Sequence, residues 1–299
     1  MKLKFFITRL ILIWKGSFTM KENVNTKLTN PRDLLIQGCE RPWEAAVEPF
    51  KVAPHVFYVG NSWVGAYLIE TSEGLILIDA TMHNQVYLVL ESIRKLGFNP
   101  KDIKIILLSH AHYDHCGGLR PIKEYTGAKL YMGKEDEYFL TERPDLIYTE
   151  GYAFGSFTPD EYYNDNTPIT LGDVTINTLH TPGHTPGTTS FFFDVKDDEG
   201  NVYNCGMHGG IGLNTLDDET IQSNGWPISM REDFLNGLLK VRDMKIDIAL
   251  GSHPNQTNML PQVDKITDTL NPFYDETVWG KFIDGRIAMI KKLMETSKL

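Results

Sequence analysis

Three of the nine histidines in this chain fall inside Ser109-His110-Ala111-His112-Tyr113-Asp114-His115-Cys116-Gly117-Gly118, with an aspartate between the second and third. Imidazole nitrogens and a carboxylate oxygen are donors that zinc accepts. His110 and His112 stand two apart, so in extended backbone they point to the same side. A helical HExxH pair would need a spacing of four. Asp114 and His115 follow at once, where the chain must turn. One ion cannot easily take all four side chains from so short a segment. Two neighbouring ions can, with His110 and His112 on one, and Asp114 and His115 on the other. The alternative is a polar turn that is merely rich in histidine.

The elements around this run favour a site. Ile105-Ile106-Leu107-Leu108 reads as a buried strand that delivers the run at its end, and Gly117-Gly118 reads as a tight passage into the next element. Two more histidines occupy similar contexts. Thr181-Pro182-Gly183-His184-Thr185-Pro186-Gly187 sets His184 in a Pro/Gly-bounded loop after a strand. Gly251-Ser252-His253-Pro254 sets His253 at the end of a second buried run, Ile246 to Leu250. If His184 joins His110 and His112, one ion has three imidazoles and an open position. If His253 joins Asp114 and His115, the other has two imidazoles and a carboxylate. Open coordination belongs to catalytic zinc, closed sets of four to structural zinc.

The rest of the chain must hold these strand ends together. Short β-rich runs occur at His55 to Gly60, Trp63 to Glu70 and Gly74 to Asp79, separated by turn residues. Val86 to Leu96 has helical spacing and is stopped by Gly97 and Pro100. Ile103 to Leu108 feeds the histidine run, Leu119 to Tyr125 reads as a short helix, and Ala128 to Met132 as a strand. Residues 134–167 lack a clean period and read as a partly helical insert beside the site, either a lid or a surface excursion. Strands return at Val174 to Leu179, Thr188 to Val195 and Asn201 to Cys205. Arg231 to Val241 is helical, Ile246 to Leu250 a buried strand, and Trp279 to Leu293 a terminal helix. Two similar halves of strands and helices predict two packed sheets with helices outside, a four-layer αβ/βα sandwich of the α/β class. Without a linker, residues 43–299 read as one catalytic domain. Residues 21–45 are polar and aperiodic, and 1–42 read as an extended arm.

Composition narrows the function classes. The chain has 299 residues, is 41% hydrophobic, and carries a formal net charge of −10. That balance argues against a nucleic-acid surface. Cys39, Cys116 and Cys205 match no zinc-finger or CxxC spacing, and an odd count gives no disulfide framework. The N-terminal run Phe5 to Trp14 is interrupted by Arg9, precedes no clear cleavage site and is too short to span a bilayer. Either it is a signal-like segment or translation starts at Met20. A cytoplasmic protein is the expectation, with a secreted or periplasmic one as the alternative, and no membrane partner.

HxHxDH, TPGHTPG and GSHP together resemble the metallo-β-lactamase superfamily, over about residues 43–273. The details resemble most the class B metallo-β-lactamases of the third subclass. Supporting stretches are Trp43 to Phe50 leading into Val56-Phe57-Tyr58-Val59-Gly60, then Glu73 to Asp79, and Met244 to Gly251. The resemblance implies a metallo-β-lactamase fold and a dinuclear site of two Zn2+ ions per chain. It matches His110, His112 and His184 to the first, and Asp114, His115 and His253 to the second. It also implies a departure. Many superfamily hydrolases carry a metal-bridging aspartate after the strand equivalent to Val202–Cys205, whereas this chain has Cys205-Gly206-Met207-His208-Gly209-Gly210. That favours the β-lactamase-like branch over thioesterase-like and phosphodiesterase-like ones. Cys205 or His208 approaching the second ion is one reading of the segment, and a glycine loop letting backbone near a ligand is the other.

The remaining polar residues have simpler expectations. Cys116 reads as a packed thiol, His180 as a packing or supporting residue, and His55 and His83 as structural or exposed. Asp79 either orients a ligand histidine through its second N–H or caps a helix. The expected activity is hydrolysis of a β-lactam by a dizinc-activated hydroxide, a property associated with antibiotic resistance. Asp114 would steer the water or relay a proton. A small molecule is the expected partner, and the oligomeric state is left open. The alternatives are hydrolysis of a lactone or other ester by the same centre, and a non-enzymatic metal-binding protein. The second ligand set lacks the extra carboxylate that favours iron, and no Gly-x-Ser-x-Gly nucleophile elbow occurs.

Overall fold

Short strands, many of them rich in apolar residues, assemble into two sheets in the computed structural model, which describes residues 30–267 and 269–299. The first is seven-stranded and runs in chain order. It comprises β1 (Phe50–Ala53), β2 (Val56–Tyr58), β3 (Tyr67–Thr71), β4 (Gly74–Ile78), β5 (Ile103–Leu107), β6 (Lys129–Met132) and β7 (Glu161–Tyr162). Its first four strands form an antiparallel meander, and the strands from β4 onward pair in parallel. The second sheet has the order β12-β11-β10-β9-β8. Its strands are β8 (Ile169–Leu171), β9 (Val174–His180), β10 (Thr189–Lys196), β11 (Val202–Met207) and β12 (Ile248–Leu250).

The period of two sorts side chains between two cores. Ile76 and Ile78 of β4 meet Ile176, Phe191 and Met207 of the second sheet between the sheets. Leu75 and Leu77 face the other way, into a cluster with the helices. That outer cluster takes Val89 and Ile93 of α2 (Val86–Lys95), then Leu119 and Ile122 of α4 (Leu119–Thr126), beyond the short α3 (Tyr113–Cys116). On the second sheet's side it takes Phe234 and Leu238 of α7 (Met230–Val241), and Trp279 and Ile283 of α8 (Glu276–Thr296). The layers are therefore helix, sheet, sheet, helix, the sandwich expected from sequence.

Several expectations need correction. Residues 21–45 do not form an extended arm throughout: α1 spans Pro31–Glu40, and a 3₁₀ turn spans Pro42–Ala45. Asn30 caps α1 by accepting from the Arg32 amide, and Pro31 stands in its first turn, where proline is tolerated. Also missing from the sequence reading are β1, β8 and α6 (Asp218–Asn224). The insert at 134–167 does contain helix, α5 (Glu137–Thr141), two 3₁₀ turns and β7. The signal-like segment Phe5 to Trp14 and the Met20 start lie outside the described residues. Among the described residues, no helix is long and apolar enough to cross a membrane.

Candidate metal centre

Four strand ends meet at one rim. β5 delivers His110 and His112, with Asp114 and His115 on the following turn of helix. The β9–β10 loop delivers His184, the segment after β12 delivers His253, and the segment after β11 passes beneath. Ligand sites in open α/β sheets gather at the carboxyl ends of strands, and this rim borders a cavity of about 370 Å³.

The six side chains form two groups there. His110, His112 and His184 offer ring nitrogens all within 4.8 Å of one another, and so do the donors of Asp114, His115 and His253. In the first group, His112 Nδ1 lies 3.1 Å from His184 Nε2. In the second, His115 Nε2 is 3.4 Å from His253 Nε2 and 3.5 Å from an Asp114 oxygen, which is 3.6 Å from His253. The groups adjoin, with the His110 and His115 rings 4.2 Å apart.

Backbone and carboxylate acceptors fix which nitrogen faces the cavity. His110 Nδ1 donates to the Gly209 carbonyl at 2.9 Å, and His184 Nδ1 to the Gly212 carbonyl at 2.9 Å. His253 Nδ1 donates to the Trp63 carbonyl at 2.7 Å. His115 Nδ1 donates to Asp79 at 2.7 Å. In each ring Nε2 is then the lone-pair nitrogen. His112 is turned the other way, presenting Nδ1. Burial depresses His110 and His112 well below the ordinary imidazole pKa, and neighbouring histidines push the same way. Burial takes His184 to about 4 against the Gly212 bond, and His253 to about 4 against the pull of Asp114. For His115 burial acts downward, but Asp114 and Asp79 outweigh it and hold its pKa above the ordinary value.

These donors fit a pair of divalent ions. Lone pairs facing each other at 3.1–3.6 Å repel unless a cation lies between them. Two ligands of one tetrahedral zinc are separated by roughly 3.3 Å when each bond is about 2.0–2.1 Å. His110 Nε2 is buried without a protein partner, a cost that a metal bond would remove. An all-nitrogen set beside a nitrogen-and-carboxylate set matches zinc chemistry.

The supporting residues settle the open readings. Asp79 orients His115 and also accepts from Ser109, at 2.8 Å from its amide and 2.7 Å from its hydroxyl. It caps no helix. Its φ of +58° is one aspartate tolerates better than most residues. Asp136 went unnoticed in the sequence. It is buried, and it accepts from Ala111 N, Thr185 Oγ1 and Gly187 N at 2.9, 2.8 and 2.6 Å, tying the HxH strand end to the His184 loop. Burial pushes its carboxyl up to about 6 despite these donors. Nothing distinguished it in sequence from the acids around it.

Cys205 and His208 belong to neither group, which corrects the reading that brought one of them to the second ion. Cys205 packs between the sheets. His208 is buried beside Phe234, burial takes it down to about 3, and neither ring nitrogen has a protein partner. The glycine-loop reading of this segment fits better. A Cβ at Gly210 would sit 2.7 Å from the His184 ring, and one at Gly212 2.9 Å from it. Cys116 is a buried thiol, His180 bonds the Pro186 carbonyl, and His55 bonds Glu70.

Comparison with known proteins agrees with this geometry. A family model described as the metallo-beta-lactamase superfamily matches residues 64–198. The fold superimposes on BJP-1, a subclass B3 metallo-beta-lactamase of Bradyrhizobium japonicum, with a TM-score of 0.77 and 32% identity, covering 86% of this chain and 97% of that one. Among curated relatives, hydroxyacylglutathione hydrolase GloC of Haemophilus influenzae is 32% identical over 111 residues, 36% of this chain and 51% of the relative. N-acyl homoserine lactonase AttM of Agrobacterium fabrum is 33% identical over 114 residues, 34% of this chain and 40% of the relative. The chain thus spans about half, or less, of these curated relatives. The full-length likeness, the shared sandwich and the matching family model lead to one conclusion: this chain belongs to the metallo-β-lactamase superfamily.

Proposed function

We propose that this protein is a zinc-dependent hydrolase that opens the ring of β-lactams. The observation that carries the reading is the pair of adjoining three-donor groups, in which second-nitrogen bonds to fixed acceptors turn the lone pairs of His110, His115, His184 and His253 inward. His110, His112 and His184 would hold one ion, and Asp114, His115 and His253 the other. When bound, two zinc ions would lower the pKa of water to roughly 7 and polarise the scissile carbonyl.

The chain's own groups have further roles. Asp114, buried among His115 and His253 at the cavity wall, orients the attacking water and accepts its proton. Trp63 and Tyr148 line the cavity, and the Trp63 ring stands 5.3 Å from His253. The Tyr148 ring stands 5.2 Å from His112, and its oxygen accepts from Asn224 Nδ2 at 2.8 Å. Among the described residues its hydroxyl proton has no acceptor, which leaves it available to the substrate.

The choice of β-lactams is supported by the likeness to BJP-1 along nearly all of that protein's length. It is also supported by the segment after β11, which offers buried His208 and glycines where a bridging acid would stand. The match to AttM favours a second reading, hydrolysis of a lactone or related ester by the same centre. Zinc-loaded protein assayed with nitrocefin, a carbapenem and an N-acyl homoserine lactone separates the two. Turnover of a β-lactam, lost in His112→Ala, is expected; lactone turnover with no β-lactam turnover overturns the choice. In that role the protein would confer β-lactam resistance.

A further inference from the structure

The stripe of α8 that faces the core is Trp279, Ile283 and Ile290, all buried. Of the two positions that continue that stripe between 283 and 290, 287 holds an isoleucine packed against the core, and 286 holds an arginine. An apolar side chain is the ordinary occupant of such a position. Arg286 instead lines the same cavity as His110, His112 and His184.

Among the described residues its guanidinium has no carboxylate partner. Five N–H donors need acceptors, yet its only bond among the described residues runs from Nη1 to the Met289 thioether at 3.6 Å, a weak acceptor. The Phe282 ring lies beneath it, 6.0 Å to the centroid. The other arginine of the cavity, Arg32, is bonded to Glu150 at 2.7 Å. Asp284, two residues away in the same helix, is engaged with Arg242. Burial lowers the Arg286 pKa, with no acid acting against it.

We infer that Arg286 is a specificity-determining residue that binds the carboxylate of an anionic substrate in the cavity, as the metal centre engages the scissile bond. This deepens the reading above and rests on it, since β-lactam antibiotics carry such a carboxylate. A planar guanidinium with free donors takes a carboxylate through two parallel bonds.

The test measures binding rather than turnover, so it does not depend on which ring the enzyme opens. The probe is a short mercaptoalkanoic acid, whose thiolate ligates zinc, compared with its neutral primary amide. Calorimetric titration of zinc-loaded wild type is expected to give a Kd for the acid lower by about tenfold or more, the scale of one charge-assisted contact. Arg286→Met is expected to remove that preference while binding the amide as wild type does, and Arg286→Lys to keep part of it. Equal affinity of wild type for acid and amide, or an undiminished preference in Arg286→Met, overturns the inference. The wild-type comparison decides the matter even if the methionine variant does not fold. A protein that opened no β-lactam would defeat the earlier reading without altering this result.

Discussion

The chemistry of this site rests on which nitrogen of each histidine is free, and single acceptors decide it for His110, His115, His184 and His253. Asp79 is the most exposed to test among them. Its carboxylate takes the Nδ1–H of His115 and so leaves Nε2 as the ligand atom. Asn at this position tolerates the positive φ, and its oxygen can still accept from Ser109. Its NH₂, however, would face the His115 Nδ1 and favour the tautomer protonated on Nε2. Asp79→Asn is therefore expected to weaken zinc at the Asp114–His115–His253 group by about 10–100-fold, leaving the His110 group unaffected. Competition titration with a chromophoric chelator reads the two affinities separately; unchanged affinity at both sites would show that Asp79 is merely structural. The six candidate ligands were legible because histidine is rare, chemically specific and placed at strand ends. Asp136 and Arg286 were not, because an acid in a run of acids, or a cation in a helix, acquires meaning only from what the fold puts beside it.

Among elements, the strands and long helices were legible to within a few residues because their apolar periods are strong. The strand β4 reads as five apolar-rich residues and lies where expected. Elements held by tertiary contacts escaped. Isolated helices as short as α1 are marginal in water, and this one is secured from outside. Gln85 Nε2 donates to the Gly38 carbonyl at 3.1 Å, and Asn84 Nδ2 to the Cys39 carbonyl at 2.8 Å. No local signal carries those bonds. The short α6 is tied in the same way: its Asp218 accepts from Arg231 Nη2, Ser297 Oγ and the Lys298 amide. The Lys298 amide first, then Arg231 and Ser297, hold the Asp218 carboxyl down at about 2, below its ordinary 3.8. A depressed acid contributes stability that is present above its unfolded pKa and lost as pH falls towards the folded one. The Tm difference between wild type and Asp218→Asn is thus expected to be constant from neutral pH to about 4.5, and to narrow below that. A difference that stays constant into acid would mean that the ionised carboxylate does not hold the tail.

At the scale of the molecule, the two sheets explain why residues so far apart in sequence meet. The HxHxDH run ends a strand of one sheet, while His184 and His253 follow strands of the other. The core between the sheets, built from side chains such as Ile78, Phe191 and Leu250, sets their relative position. Asp136 then bridges the two strand ends directly. The sandwich itself was legible from the order of strands and helices, but the cavity wall was not: α1, the insert and α8 close it from three distant parts of the chain. The most direct measurement is a crystal structure of the zinc-loaded protein with anomalous scattering recorded at the zinc edge. Two peaks are expected, one bounded by His110, His112 and His184 and the other by Asp114, His115 and His253. A single peak, or peaks that leave His184 or His253 without a metal bond, would contradict the account.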